Sequence, residues 1–461
     1  MSDTICAIAT PSGGALGIIR ISGSQAITIA STLFKPAGGR SLNRCAARLL
    51  VYGNIVAPDG EIIDEAVASL YKAPHSYTGE NSVEFSCHGS PYILQQVMHH
   101  LIDAGCRQAQ PGEFTQRAFL AGKMDLSRAE AVADLIASTN AATHRLAMSQ
   151  LRGGFGDRLR DLRSRLLKLV TLVELELDFS EEDVEFADRT QLTALAGEVA
   201  CHITQLVDSF KIGNAVKRGI PVAIVGQPNT GKSTLLNTLL NEERALVSDI
   251  SGTTRDTIEE VLNIGGLTFR LIDTAGLRDT GDTIERMGIQ RTYHTLEQAT
   301  LILYLVDCTA PHSELEQARD RYLTLAPQEG ALLLFNKSDL VDDKRRGDIL
   351  SQFSSIDAPH LFISAKCQQG IEELRAALVR SAAIPPITQN DVIVTNVRHY
   401  EALKLALASI TRVQEGLHLG LSGDLLSQDL RECIHHLSDI LGEVTTDEVL
   451  QNIFKNFCIG K

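Results

Sequence analysis

Along the first 120 residues, short apolar runs alternate with clusters of Gly, Pro and Ser. TICAIAT (4–10), LGIIRIS (16–22), EAVASLY (65–71) and VEFSCHG (83–89) read as strands separated by turns, which predicts a mixed α/β domain over 1–120. From about residue 125 the period lengthens to that of a helix. In DLSRAEAVADLIASTNAATHRLAMSQL, apolar residues recur at Leu126, Ala129, Ala133 and Ile136, and Ser127 with Glu130 has the spacing of a capping box. A second long helix is expected in DRLRDLRSRLLKLVTLVELELDF, with Leu159, Leu162, Leu166, Leu169 and Val173 as its inner face. The acidic SEEDVEF interrupts it before helix resumes to about 216. At KRGIPVAIVG the pattern changes to strands alternating with helices, up to about 380, and PPITQND leads back into helix. In TTDEVLQNIFKNF, Thr445 and Glu448 are spaced as a capping box. Leu450, Ile453, Phe454 and Phe457 form an apolar stripe that Cys458 continues. Helical stretches on both sides of an α/β block predict insertion: an all-α domain in two halves, 121–216 and 381–461, with an α/β domain of 217–380 emerging between them.

Composition changes this picture little. A chain of 461 residues exceeds a single core, and its 44% hydrophobic and 22% charged residues are ordinary for a globular protein. Its apolar runs fall short of the roughly 18 residues a membrane span needs, and the first residues lack the basic and apolar regions of a signal peptide. Nine cysteines with no C-x-x-C pair fit reduced thiols. These features predict a cytoplasmic protein without membrane association. The formal net charge of −14 means that an RNA partner would have to meet a local basic patch or a basic protein.

The strongest chemical signal is PVAIVGQPNTGKSTLLNTLL (221–240). An apolar strand enters G-x-x-x-x-G-K-S, formed by Gly226, Gly231, Lys232 and Ser233, and a helix follows, the context of a phosphate-binding loop. Backbone amides of Asn229, Thr230, Gly231 and Thr234 can surround phosphate, Lys232 can reach the β- and γ-phosphates, and the Ser233 hydroxyl suits Mg²⁺. DTAG (Asp273, Thr274, Ala275, Gly276) follows the strand LTFRLI, which suits Asp273 to Mg²⁺ through water and the Gly276 amide to the γ-phosphate. NKSD (336–339) supplies Asn336, Lys337 and Asp339. The Asp339 carboxylate can accept from N1 and N2 of guanine, donors that adenine does not present, so it selects GTP. Ser364, Ala365 and Lys366 resemble the loop that meets guanine O6. This ensemble resembles the translation-factor class of GTPases. The residue after DTAG is Leu277, which cannot orient water. Asn229 and the loop SDISGTTRDT (248–257), with Thr254 suited to Mg²⁺, resemble potassium-dependent GTPases. That likeness implies K⁺ held by Asn229, Ser248, Ile250 and Thr253.

Four further stretches, GIIRISG (17–23), SYTGENSVEFSCHGSP (76–91), PGEFTQRAFLAGKMDLSRAEAVADLI (111–136) and FCIGK (457–461), accompany this nucleotide-binding block. With it they resemble the MnmE (TrmE) family of tRNA modification GTPases from the first strand to the last residue. The resemblance implies an N-terminal folate-binding-like domain that forms a homodimer, a helical domain and a Ras-like G domain. It implies a flavoprotein partner, MnmG (GidA), carrying FAD, in a heterotetramer or larger complex. It further implies an aminomethyl-type group placed on C5 of wobble uridine in tRNA, with 5,10-methylene-tetrahydrofolate as donor and 5-formyl-tetrahydrofolate as a stable analogue. The family's folate contacts fall on Arg20, Glu84, Lys123 and Lys461, and its water-orienting glutamate on Glu285. Cys458 keeps two readings, a packed thiol or a nucleophile near the one-carbon donor. A ribosome-assembly GTPase and a GTP-driven scaffold that makes no bond itself are the alternative functions.

Overall fold

The computed structural model describes residues 3–11, 13–178, 189–244, 260–272, 299–325, 330–385, 387–388, 391–455 and 457–460. They fall into two compact units, 1–137 with 147–204 and 401–461, and 138–146 with 205–400. The segment 138–146 groups with the second unit.

In the first unit, seven strands form one sheet: β1 (Ile5–Ile8), β2 (Leu16–Ser22), β3 (Phe34–Pro36), β4 (Leu50–Val56), β5 (Ile62–Tyr71), β6 (Ser82–His88) and β7 (Arg107–Gln108). Their order is β3-β4-β5-β6-β2-β1-β7, antiparallel except for β1 with β7. Side chains alternate between the faces of a strand. Ile19, Ile21, Val83, Phe85 and Cys87 therefore point into a core closed by α1 (Ala26–Leu33) and α2 (Pro91–Asp103). Arg20 and Glu84, one residue out of phase with them, lie on the opposite face, directly paired across β2 and β6. There Ile5 and Ala7 of β1 pack with Phe114 of α3 (Glu113–Leu120).

Helices α4 (Leu126–Ile136), α5 (Ala141–Leu151), α6 (Gly154–Asp178) and α7 (Arg189–Arg218) follow. The expected inner face of α6 is buried at Leu159, Leu162, Leu166, Leu169 and Val173. On α4, Ile136 is exposed instead. The cap of α4 is Asp125, which accepts from the Arg128 amide, and Ser127 donates its hydroxyl to the same carboxylate. The expected Ser127–Glu130 box is thus replaced by the residue two positions earlier.

The second unit holds a six-stranded sheet of β8 (Ile220–Gly226), β9 (Glu260–Ile264), β10 (Leu267–Ile272), β11 (Leu301–Asp307), β12 (Ala331–Asn336) and β13 (His360–Phe362). Its order is β13-β12-β11-β8-β10-β9, and every pair is parallel except β9 with β10. Leu301, Leu303 and Leu305 face the core beside α8 (Lys232–Arg244). Ile302, Tyr304 and Val306 face the core beside α9 (His312–Leu325) and α10 (Asp343–Gln352). Helices on both faces produce the near-continuous apolar strands of a doubly wound sheet. Ala142 and Leu146 of α5 are buried in the first of these cores, and Asn140 donates to Thr268 Oγ1 at 2.6 Å, which explains why 138–146 belongs to this unit.

After α11 (Ile371–Ser381), helices α12 (Val397–Leu419), α13 (Gly423–Leu441) and α14 (Asp447–Phe454) follow. Back in the first unit, α13 packs along α6, where Arg163 Nε donates to Ser438 Oγ at 3.1 Å. This is the discontinuous helical domain with an inserted α/β domain that the pattern predicts. Leu450 and Phe454 of α14 pack against Leu126 and Ala129 of α4. The cap of α14 is Thr446, accepting from the Val449 amide, rather than Thr445.

Candidate functional site

The carboxyl ends of β8, β12 and β13 bring three sequence-distant loops to one edge of the parallel sheet, where ligands bind in such folds. β8 turns through Gly226 to Gly231 into α8. Asn229 adopts a left-handed φ of 62° and Gly231 one of 97°. A Cβ at Gly231 would collide with the Asn336 amide, so the loop admits glycine alone at that position. Lys232 Nζ donates to the carbonyls of Gly226 at 2.9 Å and Gln227 at 2.8 Å, folding its ammonium over the loop. Burial, followed by the charge of Arg321, pulls its pKa below the ordinary lysine value. Thr230 is buried, whereas Asn229, Ser233 and Thr234 are exposed.

Asn336 closes β12 and is the hinge of the arrangement. Its Nδ2 donates to the Thr230 carbonyl at 2.8 Å, and its Oδ1 accepts from the Ala365 amide at 3.0 Å. The phosphate loop and the Ser364–Lys366 loop are therefore joined through one buried side chain. Thr238 of α8 adds a second tie, donating to the Ala365 carbonyl at 2.9 Å. Lys337, at a left-handed φ of 64°, pairs with Asp307 at the end of β11. The Asp307 carboxyl is held below its ordinary range because hydrogen bonds from Lys337 and Thr309 outweigh its burial, the largest single influence. Asp339 and Lys366 are exposed, while Ser364 and Ala365 are buried. Ser248, Ile250, Thr253, Thr254, Asp273, Thr274, Ala275, Gly276, Leu277 and Glu285 lie outside the described residues.

A second cluster lies on the open face of the seven-stranded sheet. Arg20 Nε donates to Glu84 Oε1 at 2.8 Å, and a second guanidinium nitrogen donates to the Gly460 carbonyl at 3.2 Å. The guanidinium carbon sits 5.6 Å from the ring centroids of both Tyr77 and Phe114. Lys123 donates to the Pro74 carbonyl in the loop that also carries Tyr77. Gly460 is buried at φ 92°, where a Cβ would fall 2.6 Å from the Ile8 carbonyl, so the FCIGK segment lies close against β1. Lys461 lies outside the described residues. α14 ends at Phe454, so Cys458 does not continue its apolar stripe and is exposed, against the packed-thiol reading.

The sequence reading overlooked the ionic network beside this cluster. Glu113 accepts from Arg107 at 2.6 Å and from Arg117 at 2.9 Å. Arg117 also reaches Asp3 at 2.8 Å and Glu80 at 3.1 Å, and Glu80 accepts from Ser22 at 2.8 Å. Glu80 stands in the SYTGE block and Glu113 and Arg117 in PGEFTQR, where a glutamate and an arginine four apart on a helix are the available signal. Among the described residues, no group of three or more His, Cys, Asp or Glu could hold a metal ion, and no helix could cross a membrane.

A doubly wound sheet with a phosphate loop, an NKSD turn and an SAK turn at its carboxyl edge defines the P-loop GTPase class. The family model described as "GTP-binding protein TrmE N-terminus" matches residues 4–123, and the model "MnmE helical domain" matches 126–458. A protein named "tRNA modification GTPase MnmE" from Bacteroides thetaiotaomicron is 58% identical, over 100% of this chain and 99% of that one. Proteins of the same name from Phocaeicola vulgatus and Flavobacterium johnsoniae are 53% and 49% identical, each over 100% of this chain and 99% of theirs. The chain belongs to the MnmE family.

Proposed function

We propose that the protein is a potassium-dependent GTP hydrolase that acts with a flavoprotein partner of the MnmG (GidA) kind on C5 of wobble uridine in tRNA, using a tetrahydrofolate one-carbon unit. The observation that carries the GTPase half is the buried Asn336 bridge. It holds the phosphate loop and the base loop in one fixed relation. In this reading Lys232 exchanges its carbonyl partners for the β- and γ-phosphates, and its lowered pKa is reversed by their charge. Asp339 meets N1 and N2 of guanine. Ser233, in the first turn of α8, would hold Mg²⁺ with Thr254 and, through water, Asp273; the metal would neutralise charge on the phosphates. Asn229, Ser248, Ile250 and Thr253 would hold K⁺, and Glu285 would orient the attacking water.

For the folate half, Glu84 can accept from the pterin amino and ring N–H groups, while Arg20 and Lys123, with Lys461, suit the tail carboxylates. The partly exposed Tyr77 ring beside Arg20 suits a flat heterocycle, while the buried Phe114 ring backs the guanidinium. The exposed Cys458 thiol on the same segment as Gly460 supports its reading as a nucleophile. The homodimer and the cytoplasmic setting follow the family. The test is GTP turnover in K⁺ against Na⁺ at matched ionic strength, with 5-formyl-tetrahydrofolate binding measured on the same protein. Stimulation by K⁺ and saturable folate binding are expected; equal turnover in both salts would remove the potassium site.

A further inference from the structure

Cys367 directly follows the Ser364–Ala365–Lys366 turn, and its side chain is exposed. Its amide donates to Ser364 Oγ at 3.2 Å, and its Sγ donates to Asp339 Oδ2 across 3.6 Å. Asp339 is itself exposed, so packing does not fix its carboxylate, and the Cys367 thiol is one of the groups that contact it. Ser364 first, with Cys367 and Lys366 contributing less, holds that carboxyl below its ordinary range. A carboxylate that must accept two parallel N–H donors from one base gains from having its plane fixed in advance. The thiol is one of the groups that fix it.

We propose that Cys367 is a positioning residue of the guanine site, and that covalent modification of its sulfur blocks guanine-nucleotide binding. This inference rests on the reading of Asp339 as the guanine acceptor. A substituent on Sγ, 3.6 Å from Oδ2, would lie against the carboxylate that the base has to reach. Exchange with a small disulfide forms one S–S bond to Cys367, breaks the reagent's S–S bond and releases one small thiol, so no further oxidant is needed. Alkylation by iodoacetamide forms an S–C bond, expels iodide and gives the thiol proton to solvent. GTP binding would thereby become sensitive to the thiol–disulfide balance at a residue that makes no contact with phosphate chemistry.

The test uses the full chain, with Kd measured for GDP and for IDP, whose base has no N2 amino group. Cys367→Ala is expected to weaken GDP roughly three- to tenfold, the scale of one modest hydrogen bond, and IDP less. Cys367→Ser, which keeps a donor, is expected to restore both values. Iodoacetamide labelling, read by peptide mass spectrometry, should be slowed by GDP at Cys367 and unaffected at exposed Cys201; labelled wild type should lose GDP binding while labelled Cys367→Ser retains it. Unchanged GDP affinity in Cys367→Ala, or labelling of Cys367 indifferent to GDP, overturns the proposal. Asp339→Asn separates the two levels. A shift of preference from GDP to XDP keeps the guanine-site reading whatever Cys367 does, and wild-type GDP binding by that variant overturns both.

Discussion

Substituting Asn336 with alanine removes the side chain that ties the phosphate loop to the base loop. Asn336 is 2% exposed, and its partners are equally enclosed, Thr230 at 4% and Ala365 at 2%. Truncation leaves the Thr230 carbonyl and the Ala365 amide without the bonds of 2.8 and 3.0 Å that they now make. A lost hydrogen bond costs about 1 kcal/mol, and a stranded buried group about 1–3 kcal/mol, so local relaxation leaves a penalty of about 2–4 kcal/mol. The loops must recover their relation when nucleotide binds, so the lower end of that penalty appears in affinity, where ~2 kcal/mol is ~30-fold in Kd. The assay is equilibrium titration with a fluorescent GDP analogue, paired with hydrogen exchange at the Ala365 amide, which should exchange faster in Asn336→Ala without nucleotide. Thr238→Val, which removes the second tie, should be more damaging in the Asn336→Ala background than the separate effects predict. A Kd within threefold of wild type, with unaltered exchange at residue 365, would refute the bridge as the organiser of the site.

Glu113 sets an acid limit on the first unit. Although burial is the largest influence and raises its pKa, the hydrogen bonds from Arg107, the Gln110 amide and Arg117 together hold it below the ordinary value. A depressed folded pKa contributes stability that is present above the unfolded value, about 4.3, and is lost as pH falls through the folded value. Melting followed from pH 7 downward should therefore show Glu113→Gln less stable at neutral pH and less sensitive to acid than wild type; parallel curves would contradict this. Gly460→Ala places a Cβ against the Ile8 carbonyl and should lift the FCIGK segment from β1. Faster exchange of the Gly112 amide, which now donates to the Cys458 carbonyl at 3.4 Å, is the expected sign, and unchanged exchange would count against it. Arg20→Ala removes the partner of Glu84 and the guanidinium between two rings, and should weaken 5-formyl-tetrahydrofolate at least tenfold by isothermal titration; wild-type affinity would exclude Arg20 from that site.

The architecture was readable where periodicity was long or the loop chemistry strict. The inner face of α6 followed from its leucines, and the phosphate loop from two glycines, a lysine and a serine between strand and helix. The strands β3, β4 and β7 were not foreseen, because β3 and β7 are edge strands of three and two residues and β4 leaves Leu50 and Tyr52 exposed. Both capping boxes failed for one reason. DLS and TTD each offer more than one oxygen-bearing side chain within three residues, and spacing alone does not say which begins the helix. Cys458 was misplaced by extending a 3.6-residue period past the end of α14. The Arg107–Glu113–Arg117 network left one local trace, the four-residue spacing of Glu113 and Arg117 on α3; its further partners Asp3 and Glu80 are distant in sequence, and only folding brings them together.

The central claim is tested most directly by nucleoside mass spectrometry of wobble uridine. Cells deprived of this chain would be resupplied with wild type or with Lys232→Ala at equal levels of folded protein. The account predicts that the C5-modified nucleoside returns with wild type and not with Lys232→Ala. Equal restoration by both, or failure of wild type to restore it, would contradict a GTP-driven role in tRNA modification.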